Sequence, residues 1–422
     1  MVATVVVVLL LIETVLALKP PVNLPSLSLR GATNNRVESY LVPLLQRSLA
    51  ESRVHLRGKG ESLSLLEELE EEMKSGVLSE IDSSWVSLVE PSLVAAGTKW
   101  CDLPGKVAES MFYRRLSLAL EVNEVTGSDK ATFDCFLDNK LSNLRSSQPF
   151  LEELAARLPD IVMADDPLEA LKMFCFVDLW AMQKERRLIS DDPNITGTAM
   201  KRRAFSEGID RQMSYLVKND CGKILDVFKE GQTARGDVSV VLGSTGKELV
   251  ADIALAYTLL TLNLCETVTF HTKKYTISEY GATSVDVFGH IEHLADPVHS
   301  DVWAVRHFGE AVRAHIYTGR LRIVEDEFWC LPSPMWEMPV HLETRLADSR
   351  LVIVKGDSNY RRMLGDREWP LTTDPASVLG YWHVPVCAIR ILESQIGCGL
   401  EERTAAFMAS GRYGMVQFHS SV

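Results

Sequence analysis

Apolar and polar residues follow two different spacings in the second half of the chain. The run Val238–Leu242 is short, apolar and rich in β-branched residues, which predicts a buried strand. Directly after it, Lys247–Leu262 carries apolar side chains at helical spacing, with Leu249, Ile253 and Leu260 on one face. Strands that alternate with helices in this way are typical of an α/β sheet with parallel neighbours. Similar apolar runs predict three further strands, at Thr267–His271, Leu351–Val354 and Met415–Phe418.

The first half of the chain is patterned mainly for helices. In the segment 61–76, Leu66, Leu69 and Met73 lie on one helical face, and Gly76 is placed to end the helix. The sequence therefore predicts an α/β fold in which a three-layer, parallel-sheet domain follows a helical N-terminal region. The predicted segments are a leader and linker at 1–35, a helical region at 36–235 and the α/β domain at 236–422.

The N-terminal residues are apolar enough to raise the question of a leader. Val2–Ile12 is apolar, and Val15 and Ala17 offer a cleavage pattern, but no basic residue precedes the run and Glu13 interrupts it. A secretory or organellar leader, an unprocessed leader and an N-terminal strand of a cytoplasmic chain therefore stay open as alternatives. The run is too short for a stable membrane span. On the secretory route, Asn194 would be a glycosylation acceptor.

Composition places the chain among ordinary globular proteins and argues against some partners. Its 422 residues are 46% hydrophobic and 24% charged, long enough for two domains or one elaborated domain. The net charge of −13, without a local basic patch, argues against nucleic acid or an anionic membrane as partner. The eight cysteines form no C-x-x-C pair and several lie in apolar runs, which predicts buried reduced thiols rather than a zinc site or a disulfide framework.

The sharpest local motif is K-G-D-S-N-Y-R, which directly follows the third predicted strand. Gly356 permits a tight turn there. Lys355 and Arg361 offer positive donors, and Asp357 and Asn359 offer acceptor oxygens. This set suits a phosphate and its hydroxylated carrier. A salt-bridged turn fits the same residues, so spacing alone leaves both interpretations open.

Two other stretches carry candidate chemistry. The turn after the first predicted strand reads Gly-Ser-Thr-Gly at 243–246 and contains no acid, although ligands of open α/β sheets bind where strands end. His290 and His293 lie three residues apart, a spacing at which two imidazoles on a helix can share a metal. Exposed helix histidines have the same spacing and are commoner.

These motifs resemble those of the damage-control phosphatase family, and most closely its acidic-residue methyltransferase-like subfamily. The stretch K-G-D-S-N-Y-R resembles the family signature K-G-D-x-N-Y-R. P-G-K-V-A-E-S-M-F-Y-R-R at 104–115 resembles P-W-L-x-x-E-C-Y-x-Y-R-R, and D-L-W-A-M-Q-K-E at 178–185 resembles S-L-W-G-N-K-x-D. The segments 385–393 and 410–418 resemble P-x-C-T-I-R-T-L-K and the C-terminal G-x-Y-G strand. The matches run from about Trp100 to Phe418.

The resemblance implies an activity and a set of site residues. Family members are metal-dependent phosphatases of small phosphorylated metabolites, with manganese, cobalt or nickel as the cation. In this subfamily the substrates are sugar phosphates such as fructose 1-phosphate, and a carboxyl methyltransferase activity has also been claimed. The family fold, a helical N-terminal region over an α/β domain, agrees with the pattern above. The resemblance implies catalytic roles for Lys355 and Asp357, and a substrate site formed by Glu109, Arg114, Gly243, Ser244, Glu248, Asp357, Ser358, Asn359, Tyr360, Arg361 and Arg390.

The chain departs from the family where the metal is held. The first metal motif, L-D-N-x-G-x-E-L-x-x-D, supplies an Asp and an Asn as ligands; here Gly243 and Ser244 stand in their places. An ungapped match puts Gly281 at the Asp of the family's P-W-F-V-S-D. A shift of two residues would offer Glu279 instead, at the cost of that match.

These departures predict an altered site. A hard divalent cation needs carboxylate ligands, and glycine has no side chain to offer. Met182 stands for the Asn of G-N-K, and Glu393 stands for the substrate-contacting Lys of T-L-K, which adds repulsion toward a phosphate. We therefore expect impaired metal-dependent phosphatase activity. No metal ligand or cofactor is assigned, and the expected partner is a small phosphorylated or anionic metabolite.

Two interpretations follow from this expectation. The site is an enzyme whose metal ligands come from elsewhere, or it is a binding module that holds an anion without metal. In the second case the backbone N–H groups of Gly243–Gly246, assisted by Lys247, would face the anion, although a plain tight turn explains the same residues. The carboxylates that could refill the metal site are Glu248, Asp252, Glu279 and Asp286.

Both interpretations predict that the retained motif lies beside the altered one. We expect these four side chains to converge on a cavity opened by Gly243: Lys355, Asp357, Asn359 and Arg361. On the sequence alone, the ligand-restoring triple variant is also expected to regain manganese binding. This variant combines Gly243→Asp, Ser244→Asn and Gly281→Asp.

Overall fold

The computed structural model of the chain describes residues 37–55, 60–78, 98–123, 130–132, 134–163, 165–183, 207–229, 236–299 and 302–420. The predicted leader and linker and the glycosylation motif at Asn194 lie outside these residues. Within the described ranges, every helix is too short or too polar to cross a membrane. All eight cysteines are free thiols, and seven of them are buried.

The strands and helices alternate through the second half of the chain. The strands are β1 (Glu121–Asn123), β2 (Lys130–Thr132), β3 (Leu216–Asn219), β4 (Asp237–Val241), β5 (Thr267–Lys273), β6 (Leu321–Asp326), β7 (Ser349–Lys355), β8 (Val386–Ile391) and β9 (Gly414–His419). The α-helices are α1 (Val42–His55), α2 (Gly60–Ser75), α3 (Gly105–Ala119), α4 (Leu137–Ser146), α5 (Gln148–Val162), α6 (Pro167–Ala181), α7 (Cys221–Lys229), α8 (Lys247–Thr261), α9 (Ser284–Ala295), α10 (Trp303–Tyr317), α11 (Val340–Ala347), α12 (Gly356–Met363) and α13 (Pro375–Leu379). Residues 207–213 are also helical.

Seven strands form one central sheet in the order β3-β9-β8-β7-β4-β5-β6. The five strands from β8 to β6 are parallel, β9 runs antiparallel to β8, and β3 is parallel to β9. The predicted α/β fold with a mainly parallel sheet is therefore confirmed. The four predicted strands are present with ends within two residues of those expected. Strands β3, β6 and β8 were not predicted, because each is short or carries charged residues within its apolar run.

The sheet is buried on both faces, which gives the three layers. Along β7, Leu351 and Ile353 face the core shared with α5, α6, α7, α8, α9 and α10. Val352 and Val354 face the opposite core, shared with α1, α2 and α3. This alternation explains why β7 reads as a continuous apolar run. The boundary near residue 235 stays a prediction; β3 and helices α5 to α7, which precede it in sequence, pack into the same sheet and core.

The chain order changes direction between β4 and β7. From β4 the sheet continues through β5 and β6 on one side, and from β7 it continues through β8 on the other. Because helices after β4 and β7 leave on opposite sides of this point, a crevice opens at the carboxyl ends of the two strands. In register, Val241 of β4 pairs with Val354 of β7. The two predicted motifs, which begin at Gly243 and Lys355, therefore lie next to each other.

Candidate functional site

A cavity of about 920 Å³ opens at the carboxyl ends of β4 and β7. It brings together residues from motifs more than 200 positions apart in the chain. Its polar lining combines lysines and arginines with acids, hydroxyls and amides. The predicted site residues that line it are Glu109, Gly243, Ser244, Glu248, Lys355, Asp357, Ser358, Asn359 and Arg361.

Three predicted site residues are absent from the cavity wall. Arg114 pairs with Glu327 at 3.2 Å and lies over the Tyr275 ring. Tyr360 is fully buried. Arg390 is also fully buried and lies over the Tyr360 ring, 3.9 Å from its centre. Arg390 and Tyr360 thus lie beneath the cavity and support its wall.

Two residues of the K-G-D-S-N-Y-R motif hold the cavity wall in place. The Asp357 carboxylate accepts hydrogen bonds from Arg390 Nη1 at 2.9 Å and from the Ser394 hydroxyl at 3.2 Å. The Asn359 amide donates to the carbonyl of Leu242 at 3.1 Å and to that of Lys355 at 2.9 Å. Asn359 therefore ties the end of β4 to the end of β7. Both side chains also line the cavity, so a role toward a ligand stays a prediction.

The Lys355 ammonium is buried among carboxylates. It pairs with Asp178 of α6 and, at 3.2 Å, with Asp252 of α8, and all three side chains are fully buried. Burial favours the neutral amine, but the charges of Asp178 and Asp252 outweigh it and raise the pKa of Lys355. Burial also raises the pKa of Asp252 and of Glu248 nearby. The positive charge of Lys355 is thus largely neutralised within the protein.

The three positions at which the motif resemblance places metal ligands lie side by side. Ser244 and Gly281 form an isolated antiparallel bridge, and the Ala282 N–H donates to the Gly243 carbonyl at 3.3 Å. This adjacency supports the ungapped match. Glu279, the alternative offered by a shift of two residues, is held instead by Arg47 at 3.1 Å and by the amide of Asn139 at 3.2 Å.

The residues around Gly243 do not fit a divalent cation. Glu248 brings one carboxylate, whose Oε1 accepts the Ser244 N–H at 3.3 Å. Lys273 brings an ammonium group, whose Nζ donates to the carbonyls of Gly243 at 2.7 Å and Leu242 at 3.3 Å. Burial lowers the pKa of Lys273 to about 8. A hard cation prefers several oxygen ligands and is repelled by an ammonium, so one carboxylate beside a lysine is a poor site for it.

The other candidate carboxylates are engaged elsewhere. Asp286 pairs with Lys140 at 2.7 Å and accepts the Thr283 N–H at 2.9 Å as part of the cap of α9. Asp252 pairs with Lys355. Within the described ranges, no three His, Cys, Asp or Glu side chains are grouped so that they could hold a metal ion.

Three of the four N–H groups of the predicted backbone anion cradle at 243–246 have acceptors within the protein. The Ser244 N–H is directed to Glu248, and the Thr245 N–H donates to the Tyr280 carbonyl at 2.7 Å. The Gly246 N–H donates to Nε2 of His290 at 3.0 Å. These three donors already have acceptors within the protein, so they do not face a ligand. The turn is a structural link between β4 and the loop after β5.

The histidine pair is likewise not arranged for metal. His290 accepts from Gly246 through Nε2, and its Nδ1 lies 2.8 Å from the Asp286 carbonyl, so both ring nitrogens are engaged. Burial lowers the pKa of His290 to about 4, which keeps the ring neutral. His293 stacks on His299 with ring centres 4.4 Å apart.

Sequence reasoning missed three charged residues at or beside the cavity. Asp178 lies inside the apolar stretch F-C-F-V-D-L-W-A of α6, and a charge in such a stretch requires a partner, so a signal was present. Lys273 is the last residue of β5, just beyond the end of the predicted strand. Lys106 occupies a position where the family motif has leucine, and that departure was its only signal. Together, fold and cavity define an α/β protein with a charged cavity at the topological switch point of its sheet.

Comparisons with known proteins identify the family. The model described as "Damage-control phosphatase ARMT1-like domain" matches residues 43–406, and the chain belongs to this family. Damage-control phosphatase ARMT1 of Xenopus tropicalis is 28% identical over 349 residues, which cover 76% of each chain. The protein of the same name from Bos taurus is 28% identical over 343 residues, which cover 76% of this chain and 75% of that one. A crystal structure of a DUF89 family protein from Pyrococcus horikoshii has a TM-score of 0.41 at 10% identity, covering 86% and 92% of the two chains, too weak to carry an argument.

Proposed function

We propose that this chain is a divergent damage-control phosphatase homologue whose cavity binds a small phosphorylated or otherwise anionic metabolite without a divalent cation. Its metal-dependent hydrolysis of sugar phosphates is impaired. The observation that carries the proposal is the Lys273 ammonium, which donates to the Gly243 carbonyl at 2.7 Å, where the family pattern has its first metal ligand. A positive charge there serves an anionic ligand and opposes a metal ion.

The chemistry of phosphoryl transfer explains the expected impairment. A divalent cation stabilises the charge that develops on the phosphoryl oxygens and is the main electrophile of such sites. A lysine supplies a single charge through hydrogen bonds, which supports binding more than it supports bond cleavage. Glu393, in place of the family lysine, also lines the cavity and opposes a phosphate on its side.

The proposal is tested by phosphatase assays with and without metal. Purified protein with manganese, cobalt or nickel is expected to hydrolyse fructose 1-phosphate on the order of a thousandfold more slowly than a family member with intact ligands, because losing the cation removes several kcal/mol of transition-state stabilisation. Phosphate should nevertheless bind in the presence of chelator. Vigorous turnover that a chelator abolishes would refute the impairment, and the absence of chelator-resistant phosphate binding would refute the metal-free site.

A repurposed enzyme in the same cavity is the second candidate. Glu248 favours it, because this carboxyl lines the cavity and burial raises its pKa toward the range that suits a general acid. Chelator-resistant hydrolysis of p-nitrophenyl phosphate that is lost in Glu248→Gln, while phosphate binding persists, would identify this activity. No chelator-resistant hydrolysis above the background rate would leave the binding module as the function.

A further inference from the structure

Two residues from distant parts of the chain meet at the cavity. Lys106 lies in the first turn of α3 and Ser358 in the first turn of α12. The Lys106 Nζ donates to the Ser358 Oγ at 2.6 Å, across 252 positions of sequence. Both residues line the cavity, with Ser358 exposed and Lys106 half-buried.

Neither residue is explained by the family pattern. Lys106 stands where P-W-L-x-x-E has leucine, and Ser358 occupies the unspecified position of K-G-D-x-N-Y-R. A leucine at 106 could not contact a hydroxyl in this way. The contact is therefore a feature of this chain, separate from the residues that the motifs retain.

The pair presents hydrogen-bond donors to the cavity. When Lys106 donates to the Ser358 oxygen, the serine proton is directed away from the ammonium, and two ammonium protons are left for other acceptors. Two nearby acids are already paired: Asp357 of α12 with Arg390 at 2.9 Å, and Asp366, just after α12, with Arg361 at 2.5 Å. Hydrogen-bond donors that include the Lys106 ammonium suit an anion and not a cation.

The Lys106–Ser358 pair places a positive charge in a cavity that lacks the family's lysine at residue 393. Glu393, the replacement for the family's substrate-contacting lysine, lines the same cavity. Relative to the family motifs, the cavity lacks the lysine on the segment after β8 and has a lysine on α3. A phosphate bound on the α3 side of the cavity finds a positive donor at Lys106.

We propose that Lys106 and Ser358 form the subsite that binds the phosphate of the cavity's ligand. This inference rests on the proposed function, since it assumes an anionic ligand, and it adds where that anion lies. The phosphate oxygens accept from the Lys106 ammonium and from the Ser358 hydroxyl.

Isothermal titration calorimetry with inorganic phosphate in chelator tests the subsite. The variant Lys106→Leu restores the family residue and is expected to weaken phosphate binding about tenfold or more, because it removes a charged donor. Ser358→Ala removes a neutral donor and is expected to weaken binding about fivefold. Lys229→Met is the matched control, because this exposed lysine of α7 pairs with Asp226 and lies outside the cavity wall; its affinity should equal that of the parent.

The outcomes separate the subsite from the proposed function. A parent that binds phosphate, with Lys106→Leu weakened and the control unchanged, supports the subsite. If the parent binds phosphate and Lys106→Leu binds it with the same affinity, the subsite is overturned and the proposed function stands. Loss of phosphate binding in Lys273→Met would then place the anion beside Gly243. A parent that does not bind phosphate in chelator overturns both. Thermal melts of each variant exclude misfolding as the cause of any loss.

Discussion

Alanine substitutions at Gly281 and Gly243 give a matched test of the altered metal site. Both glycines stand where the motif resemblance places metal ligands, and neither has a positive φ, so backbone strain does not distinguish them. They differ in what a new side chain would meet. A Cβ at Gly281 would lie 2.0 Å from the carbonyl oxygen of Ile277, and a Cβ at Gly243 would lie 2.3 Å from Oε1 of Glu248.

The magnitudes follow from how easily each neighbour can move. The Ile277 oxygen belongs to the backbone of a tight turn and must shift by about 1 Å, which costs about 2–3 kcal/mol, the upper part of the range for overpacked sites, because the backbone itself has to move. The Glu248 carboxylate is the end of a flexible side chain, and its displacement loses a 3.3 Å hydrogen bond to Ser244, worth about 1 kcal/mol. Alanine has less conformational entropy than glycine in the unfolded chain, which stabilises each variant by about 0.4–1 kcal/mol and offsets part of its destabilisation. We therefore expect Gly281→Ala to be destabilised and Gly243→Ala to be nearly neutral.

Urea unfolding followed by tryptophan fluorescence measures the difference. The free energy of unfolding of Gly281→Ala should be about 1–2 kcal/mol below that of Gly243→Ala, with similar urea dependence for both. Equal stabilities would refute the argument, because they would mean that the turn at 277–281 yields easily. In that case the family aspartate could be reinstated at Gly281 without rearrangement.

Three further predictions concern the charges around the cavity. The ligand-restoring triple variant should show no gain in manganese affinity by calorimetry, contrary to the expectation from sequence. Its aspartates would collide with the surrounding turn and would face the Lys273 ammonium. A folded variant that binds manganese more tightly than the parent would contradict this. Lys355→Met should lower the free energy of unfolding by about 3–5 kcal/mol, because it leaves Asp178 buried without its counter-charge, and adding Asp178→Asn should recover part of the loss in the same urea assay. The pKa of His290 is lowered to about 4, so between pH 6.5 and 4 the unfolded chain takes up the proton and stability falls as the pH falls. Relative to His290→Gln, the parent should lose up to about 1.4 kcal/mol per pH unit in that window, and a constant difference would refute the buried neutral ring.

The long apolar runs predicted most of the sheet, and the exceptions have physical causes. β6 is an edge strand that is only partly buried, and three of the six residues in its sequence L-R-I-V-E-D are charged, so no apolar run marks it. β8 is central but contains Arg390, a charge that reads as exposed until Asp357 and the Tyr360 ring are placed against it. Apolar periodicity does not reveal a charge partner that belongs to a distant segment of the chain.

The candidate site was predictable in its location but not in its contacts. The strand-to-helix turns at Gly243 and Lys355 correctly marked two neighbouring strand ends. Spacing could not reveal which acceptors the ammonium and N–H groups would find. Lys355 pairs with Asp178 and Asp252, because a buried ammonium requires counter-charges. The N–H groups after Gly243 donate to acceptors within the protein. A motif specifies residue types, whereas the packed structure decides which polar groups remain for a ligand.

A fixed ammonium and a bound divalent cation act differently on an anion. The cation carries two charges, coordinates phosphoryl oxygens directly and withdraws electron density from the phosphorus, which lowers the barrier to hydrolysis. A lysine carries one charge and shares protons with the oxygens, so it stabilises the bound ligand and the transition state more equally, and uniform binding does not raise the rate of the chemical step. Beside Gly243 the described residues offer Lys273 and a single carboxylate, Glu248, and at the mouth they add Lys106. Under the proposed function, this exchange keeps affinity for the metabolite, makes that affinity independent of metal supply, and gives up the acceleration that the cation provides.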